Sequence, residues 1–111
     1  MREIKFRAWD KTNNQMIYMG MVDTSYQVTI QEIFRYDTVG QFTGLKDKNG
    51  KEIYEGDVCK NDEGEIGKIV FWKGCFILEL ISTWDPMAPI NSIEFVKEVI
   101  GNIYENKELL Q

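Results

Sequence analysis

Ile66 to Trp72 and Cys75 to Ile81 are two β-prone runs separated only by Lys73 and Gly74. A two-residue connection joins strands that are antiparallel and adjacent. Ahead of them lies Val58-Cys59-Lys60, set off by the turn-forming Asp62-Glu63-Gly64-Glu65. Together these segments predict a three-stranded antiparallel meander over residues 57–81. In its last strand Phe76, Leu78 and Leu80 share one face, and Cys75, Ile77, Glu79 and Ile81 share the other.

The remaining segments extend this pattern. Ile4, Phe6 and Ala8 alternate with Lys5 and Arg7, the polar run Asp10–Asn14 suits a turn, and Met16–Met21 returns, so residues 4–21 predict a hairpin. Residues 26–36 fit two periods. Tyr26, Val28 and Ile30 alternate, while Ile30, Ile33 and Phe34 have helical spacing, and the β-branched content favours a strand. Thr38–Leu45 is a short β-prone run. Asn49-Gly50 predicts a tight hairpin turn of type I′, in which both central residues have positive φ. Pro86 and Pro89 mark residues 82–92 as a loop. A strand is expected near 97–104, followed by a short terminal helical turn capped by Asn106. Many short strands and tight turns with little helix predict a small barrel or sandwich, and 111 residues suit a single domain over 1–111, with 1–43 an N-terminal β segment and 44–111 the barrel core and C-terminal strand.

Charge narrows the partners. The net charge is -5. Residues 1–56 balance eight basic against eight acidic side chains, and residues 57–111 carry five against ten. Duplex binding needs several cations set against phosphates, so this acidic chain is a poor candidate for it. The one basic bias, Arg2, Lys5, Arg7 and Lys11, reads as a solvated strand face. There is no apolar run of membrane-spanning length and no apolar core of a secretion signal, so a cytoplasmic protein is expected.

The absence of His removes the commonest general base, metal ligand and triad member. Cys59 and Cys75 have no CxxC spacing and read as two reduced, packed thiols. The carboxylates Asp47, Glu52, Glu55, Asp57, Asp62, Glu63 and Glu65 do not fit an EF-hand loop, because position six would be Glu52 rather than Gly. They read as turn and edge charges that protect the sheet, with Asp57 capping a local turn. Gly44, Gly50 and Gly56 match no phosphate-loop pattern, and no Ser-x-x-Lys supplies a nucleophile and base. No catalytic residue, metal ligand or cofactor site is expected. Exposed aromatics remain as contact residues. Trp9 and Tyr54, which neighbour charged residues, and Trp84, beside the proline loop, are the partner-binding candidates.

Three stretches carry a resemblance: REIKFRAWD at Arg2–Asp10, GLKDKNGKEIYEGDV at Gly44–Val58 and EVIGNIYENKELL at Glu98–Leu110. In this order they resemble the YopX family of phage and prophage proteins, with the middle stretch the most specific and Lys107 standing where Pro is expected in many relatives. The resemblance implies a mostly β protein built around an SH3-like barrel, encoded by phages of Gram-positive hosts and made in the host cytoplasm. It implies no established activity and carries no catalytic residues. The expected function is a non-catalytic module binding a protein partner. A nucleic-acid-binding accessory role in phage replication or regulation, using Trp9, Arg2, Lys5 and Arg7, is the alternative, and open sheet edges allow a homo-oligomer.

Overall fold

The computed structural model describes residues 3–20, 22–23, 26–81, 91–92 and 96–110, with only the backbone of 22, 23, 26, 91 and 92. The chain is mostly β, with two principal antiparallel sheets, one of them curled into a half-barrel, in keeping with the small barrel-like fold expected. It divides into two compact units, Met1–Phe42 and Thr43–Gln111.

In the first unit β1 (Phe6–Asp10) pairs with β2 (Gln15–Tyr18) as the expected hairpin, with Arg7 opposite Tyr18 and Asp10 opposite Gln15. A two-stranded ribbon of β3 (Val22–Asp23) and β4 (Tyr26–Gln27) follows. The strand expected over 26–36 then gives way to α1 (Ile30–Ile33). Thr29 caps it, its hydroxyl accepting the Glu32 N–H at 3.3 Å. Thr29-x-x-Glu32 is the spacing of a capping box. Ile33 is fully buried and clusters with Ala8 and Val28. Burying that side chain is worth ~2 kcal/mol, which offsets what a single helical turn cannot supply alone. β-propensity loses here to one cap and one buried side chain.

β5 (Val39–Lys46) lies antiparallel to β1, with Phe6 opposite Gln41. The ladder is prolonged by Thr38, whose Oγ1 accepts the Trp9 N–H at 2.8 Å and donates to the Trp9 carbonyl at 2.7 Å. Of the solvated basic face expected along β1, Lys11 is exposed and Arg2 lies outside the described residues, but Arg7 and much of Lys5 are covered. Arg7 is 4% exposed, Lys5 stands 4.8 Å from the Phe42 ring centroid and 3.4 Å from Glu3 Oε1, and Lys11 reaches Asp37 at 3.5 Å. β1 pairs along both edges, and Arg7 to Asp10 are all buried, so alternation along it does not sort its residues into core and solvent.

The second unit contains the predicted meander. β7 (Asp57–Asn61), β8 (Ile66–Trp72) and β9 (Cys75–Leu80) follow the hairpin made by the end of β5 and β6 (Glu52–Tyr54). β10 (Asn91–Ser92) and β11 (Val96–Asn102) complete a five-stranded sheet of order β10-β9-β8-β7-β11. Its core gathers Ile53, Cys59, Ile69, Leu78, Leu80, Val96 and Val99, with Phe76 packed against it. Gly67 sits in the middle strand, where a Cβ would run into the Glu79 carbonyl oxygen. Only glycine lets the β8 and β9 backbones approach this closely.

Turn chemistry corrects one expectation. The hairpin at Asn49-Gly50 forms, but Asn49 is not in the positive-φ region, whereas Gly50 has φ 82°. The loop is a type I turn followed by a left-handed glycine, the three-residue pattern. The turn with two successive positive φ values is Lys73-Gly74, at 47° and 83°. A lysine in that region costs ~1 kcal/mol. At the C-terminus Lys107–Leu110 is a single 3-10 turn. Asn106 precedes it as expected, but its Oδ1 accepts the Asn102 N–H at 3.1 Å instead of capping the turn. Neither cysteine is in a disulfide. Cys59 is buried, and Cys75 is exposed rather than packed.

Candidate functional site

Two of the three aromatics expected at the surface, Trp9 and Tyr54, are buried. Trp9 is 8% exposed and Tyr54 3%. Trp9 lies on β1 between β2 and β5, paired with Met16. Tyr54 is held by its own N–H, which donates to Asp57 Oδ2 at 2.7 Å, and its hydroxyl meets Glu52 Oε1 at 3.4 Å. Charged sequence neighbours do not expose a strand residue, because adjacent side chains point to opposite faces. Trp84 lies outside the described residues.

The structure instead brings aromatics together at the tip of the β8–β9 hairpin. Phe71 is 54% exposed and stands opposite Phe76, their ring centroids 5.0 Å apart in an edge-to-face arrangement. Trp72 is half-buried and faces Cys75 across the strands. The Lys73 ammonium sits 4.7 Å from the Trp72 ring centroid, a cation–π distance. The register from Gly67↔Leu80 to Trp72↔Cys75 runs unbroken to the turn, so the tip carries Phe71 and Phe76 on one face and Trp72, with the Lys73 cation over its ring, on the other. The sequence carried a signal for this site. Ile69-Val70-Phe71-Trp72 and Cys75-Phe76-Ile77-Leu78 are continuous apolar runs, whereas an antiparallel hairpin with one solvated face should alternate. Among the described residues of the first unit the exposed large hydrophobics are Ile4, Tyr18, Ile30 and Phe34, with the Phe34 ring 4.9 Å from that of Phe6.

Four carboxylates of residues 47–65, those of Asp47, Glu52, Asp57 and Glu65, are engaged in the fold itself. Asp47 is 8% exposed. Its Oδ1 accepts the N–H groups of Asn49 at 2.8 Å and Lys51 at 2.9 Å. Its Oδ2 accepts the buried N–H of Val99 at 2.9 Å. This last bond depends on β11, whose register against β7 slips between Val96 and Glu98 and again between Val99 and Gly101. Such bulges free backbone groups from the ladder. Here Lys97 C=O accepts the Lys48 N–H at 3.1 Å, and Val99 N–H goes to Asp47. The loop therefore covers part of the β11 edge. Burial pushes the Asp47 pKa up, but the Val99, Lys51 and Asn49 N–H groups, with the Lys51 charge, outweigh it and hold the carboxyl below its ordinary value.

Asp57 takes the Tyr54 N–H, as the turn-capping reading expected. Gly56 beside it, at φ 92°, donates to Ile69 C=O at 2.9 Å and accepts from Ile103 N–H at 2.9 Å. In the C-terminal stretch Asn102 Oδ1 accepts from Tyr104 and Glu105 N–H groups, and the Asn106 side chain lies where a Cβ on Gly101 would be. At the β1–β2 turn Asp10 accepts from Thr12 and Asn13. The Asn13 side-chain amide does most to hold its carboxyl below the ordinary value, against burial and with help from the two backbone N–H groups. The stretches that carried the family resemblance are thus rich in residues that close loops. Among the described residues no three His, Cys, Asp or Glu side chains are grouped so that they could hold a metal ion, and no helix is long and apolar enough to cross a membrane.

Comparison with known proteins gives two findings. The family model described as YopX protein matches residues 5–111, nearly the whole chain. Among solved structures the chain is similar to that titled "Crystal structure of protein EF1440 from Enterococcus faecalis", at 29% identity over 100% of both chains and a TM-score of 0.64. No curated protein matches.

Proposed function

The chain belongs to the YopX family, and from that premise we propose that it is a non-catalytic binding module that engages a protein partner through the tip of the β8–β9 hairpin. The reading extends to its setting: a phage or prophage protein working in the cytoplasm of a bacterial host. The observation that carries it is Phe71, half exposed at the end of a hairpin of unbroken register and packed edge-to-face on Phe76. Large aromatic side chains on a fixed scaffold lose little conformational freedom on binding, and they dominate interface energies. Lys73 adds a cation that would sit among acceptor groups at the rim of a partner pocket. The engagement of Asp47 and Asp57 with backbone N–H groups supports the non-catalytic part of the reading, since a catalytic acid or base must be free to reach a substrate proton.

A photo-crosslinking amino acid placed at Phe71, with a second at Glu63 on the β7–β8 loop as control, tests the proposal in bacterial cells producing the protein. A discrete protein adduct from position 71 that is absent from position 63 is expected. The same smear from both positions removes the reading. A nuclease-sensitive adduct at 71 transfers it to the nucleic-acid alternative, in which the rings would stack on single-stranded bases.

A further inference from the structure

Asn49 precedes a glycine on an exposed turn. An Asn-Gly bond is the context in which a side-chain amide is most open to attack by the backbone, because the following residue has no side chain to shield its nitrogen. At Gly50 a Cβ would meet nothing within 4 Å. In the reaction the Gly50 nitrogen loses its proton and bonds to Asn49 Cγ, the Cγ–Nδ2 bond breaks, and ammonia leaves carrying the proton. Water then opens the five-membered imide at either carbonyl, giving aspartate or its β-linked isomer at position 49. The sum is asparagine plus water going to an acid plus ammonia.

The fold opposes the first step at a single residue. The three successive N–H groups of Asn49, Gly50 and Lys51 all end on Asp47. Asn49 and Lys51 donate to Oδ1 at 2.8 and 2.9 Å, and Gly50 donates to the Asp47 carbonyl at 3.0 Å. To attack, the Gly50 nitrogen must release that hydrogen bond, and the Asn49 backbone must rotate out of the type I turn. We propose that Asn49 is a deamidation site whose rate is set by opening of the Asp47 loop. The β-linked product places an extra backbone carbon between positions 49 and 50. The three N–H groups then no longer match the spacing of Asp47, and the hold of Asp47 on Val99 loosens with them. The modification is a one-way weakening of the second unit, seated in its most specific sequence stretch, and it is independent of the hairpin-tip reading.

Peptide mapping of the full chain after incubation in mildly alkaline buffer tests this, with β-linked and ordinary aspartate resolved at position 49 and Asn61 of the matching β7–β8 loop as internal reference. In the native wild type, conversion at Asn49 is expected to be slower by ~tenfold or more than in denaturant, because only the open loop reacts. In Asp47→Ala, which removes the Oδ1 acceptor of the Asn49 and Lys51 N–H groups, the rate under native conditions rises toward the denatured value. Equal native and denatured rates overturn the proposal, as does an Asp47→Ala rate no faster than wild type. Absence of conversion at Asn49 even in denaturant overturns it too. If Asp47→Ala does not fold, the wild-type comparison decides alone.

Discussion

Two loops of the second unit have nearly the same geometry and different reach. Asp47-Lys48-Asn49-Gly50-Lys51 and Asn61-Asp62-Glu63-Gly64-Glu65 both begin with a short polar side chain and place glycine fourth. In each, the first residue's N–H donates to the fifth residue's C=O, at 2.8 and 3.0 Å, and the glycine N–H returns to the first residue's C=O, at 3.0 and 3.1 Å. In each, Oδ1 accepts the third and fifth N–H groups. The glycines have φ 82° and 81°. The difference is the last side-chain atom. Asp47 Oδ2 crosses to Val99, 52 positions away, while Asn61 Nδ2 donates to Glu65 Oε1 at 2.9 Å within its own loop. One atom, oxygen or nitrogen, decides whether a loop closes only itself or also fastens a distant strand.

The largest effect that would break this comparison is at Asp47. Asp47→Ala removes three acceptor contacts and leaves the Val99 N–H buried without its partner. A loss of about 3 kcal/mol is expected, against about 1 kcal/mol for Asn61→Ala, whose N–H groups are nearer solvent. Equal shifts in urea midpoint for the two variants would mean that the Val99 bond adds nothing.

A pH series sharpens the same contrast. Because the folded-state pKa of Asp47 is depressed, its contribution is fully present above the unfolded-state carboxyl range and is lost as pH falls through the folded value. Stability should therefore decline from neutral pH toward acid, and Asp47→Asn should flatten part of that decline. The Asp10 carboxyl, depressed in the same sense, contributes equally in both proteins and cancels in the difference. Identical urea-midpoint profiles against pH would assign the acid sensitivity elsewhere.

Asn61→Asp makes the second loop resemble the first in its leading residue. With no distant N–H to receive the new oxygen, and with Glu65 beside it, the exchange should cost about 1 kcal/mol. Glu65→Gln in that background should restore most of it, read as recovery of Tm. The smallest difference is expected between Gly50→Ala and Gly64→Ala. Neither added Cβ meets an atom within 4 Å, so each pays only the left-handed strain of about 1 kcal/mol, and their Tm shifts should agree.

The local origin of loop geometry explains which readings succeeded. The meander, the β1–β2 hairpin and the hairpin at Asn49-Gly50 all rest on turn residues close in sequence, and their chemistry is local. The helix at Ile30–Ile33 was half legible, in the Thr29 and Glu32 spacing and in the helical positions of Ile30 and Ile33. What outweighed β-propensity was Ile33 reaching the cluster of Ala8 and Val28, of which Ala8 is distant in sequence. The candidate site moved for a related reason. Charged sequence neighbours point to exposure of Trp9 and Tyr54, whereas burial is decided by what packs over the face each side chain points to. The hairpin tip was legible as a break in alternation, and no reading of single residues would have weighed it.

Sequence alone determined the β-rich class, the turn positions and the acidic balance, because period-two alternation and glycine conformations act over a few residues. Only the tertiary structure decided that Arg7 and Trp9 are covered, that Phe71 is open, and that Asp47 reaches Val99. Those outcomes depend on strand neighbours and on two register slips in β11, which bring together groups that no local pattern relates.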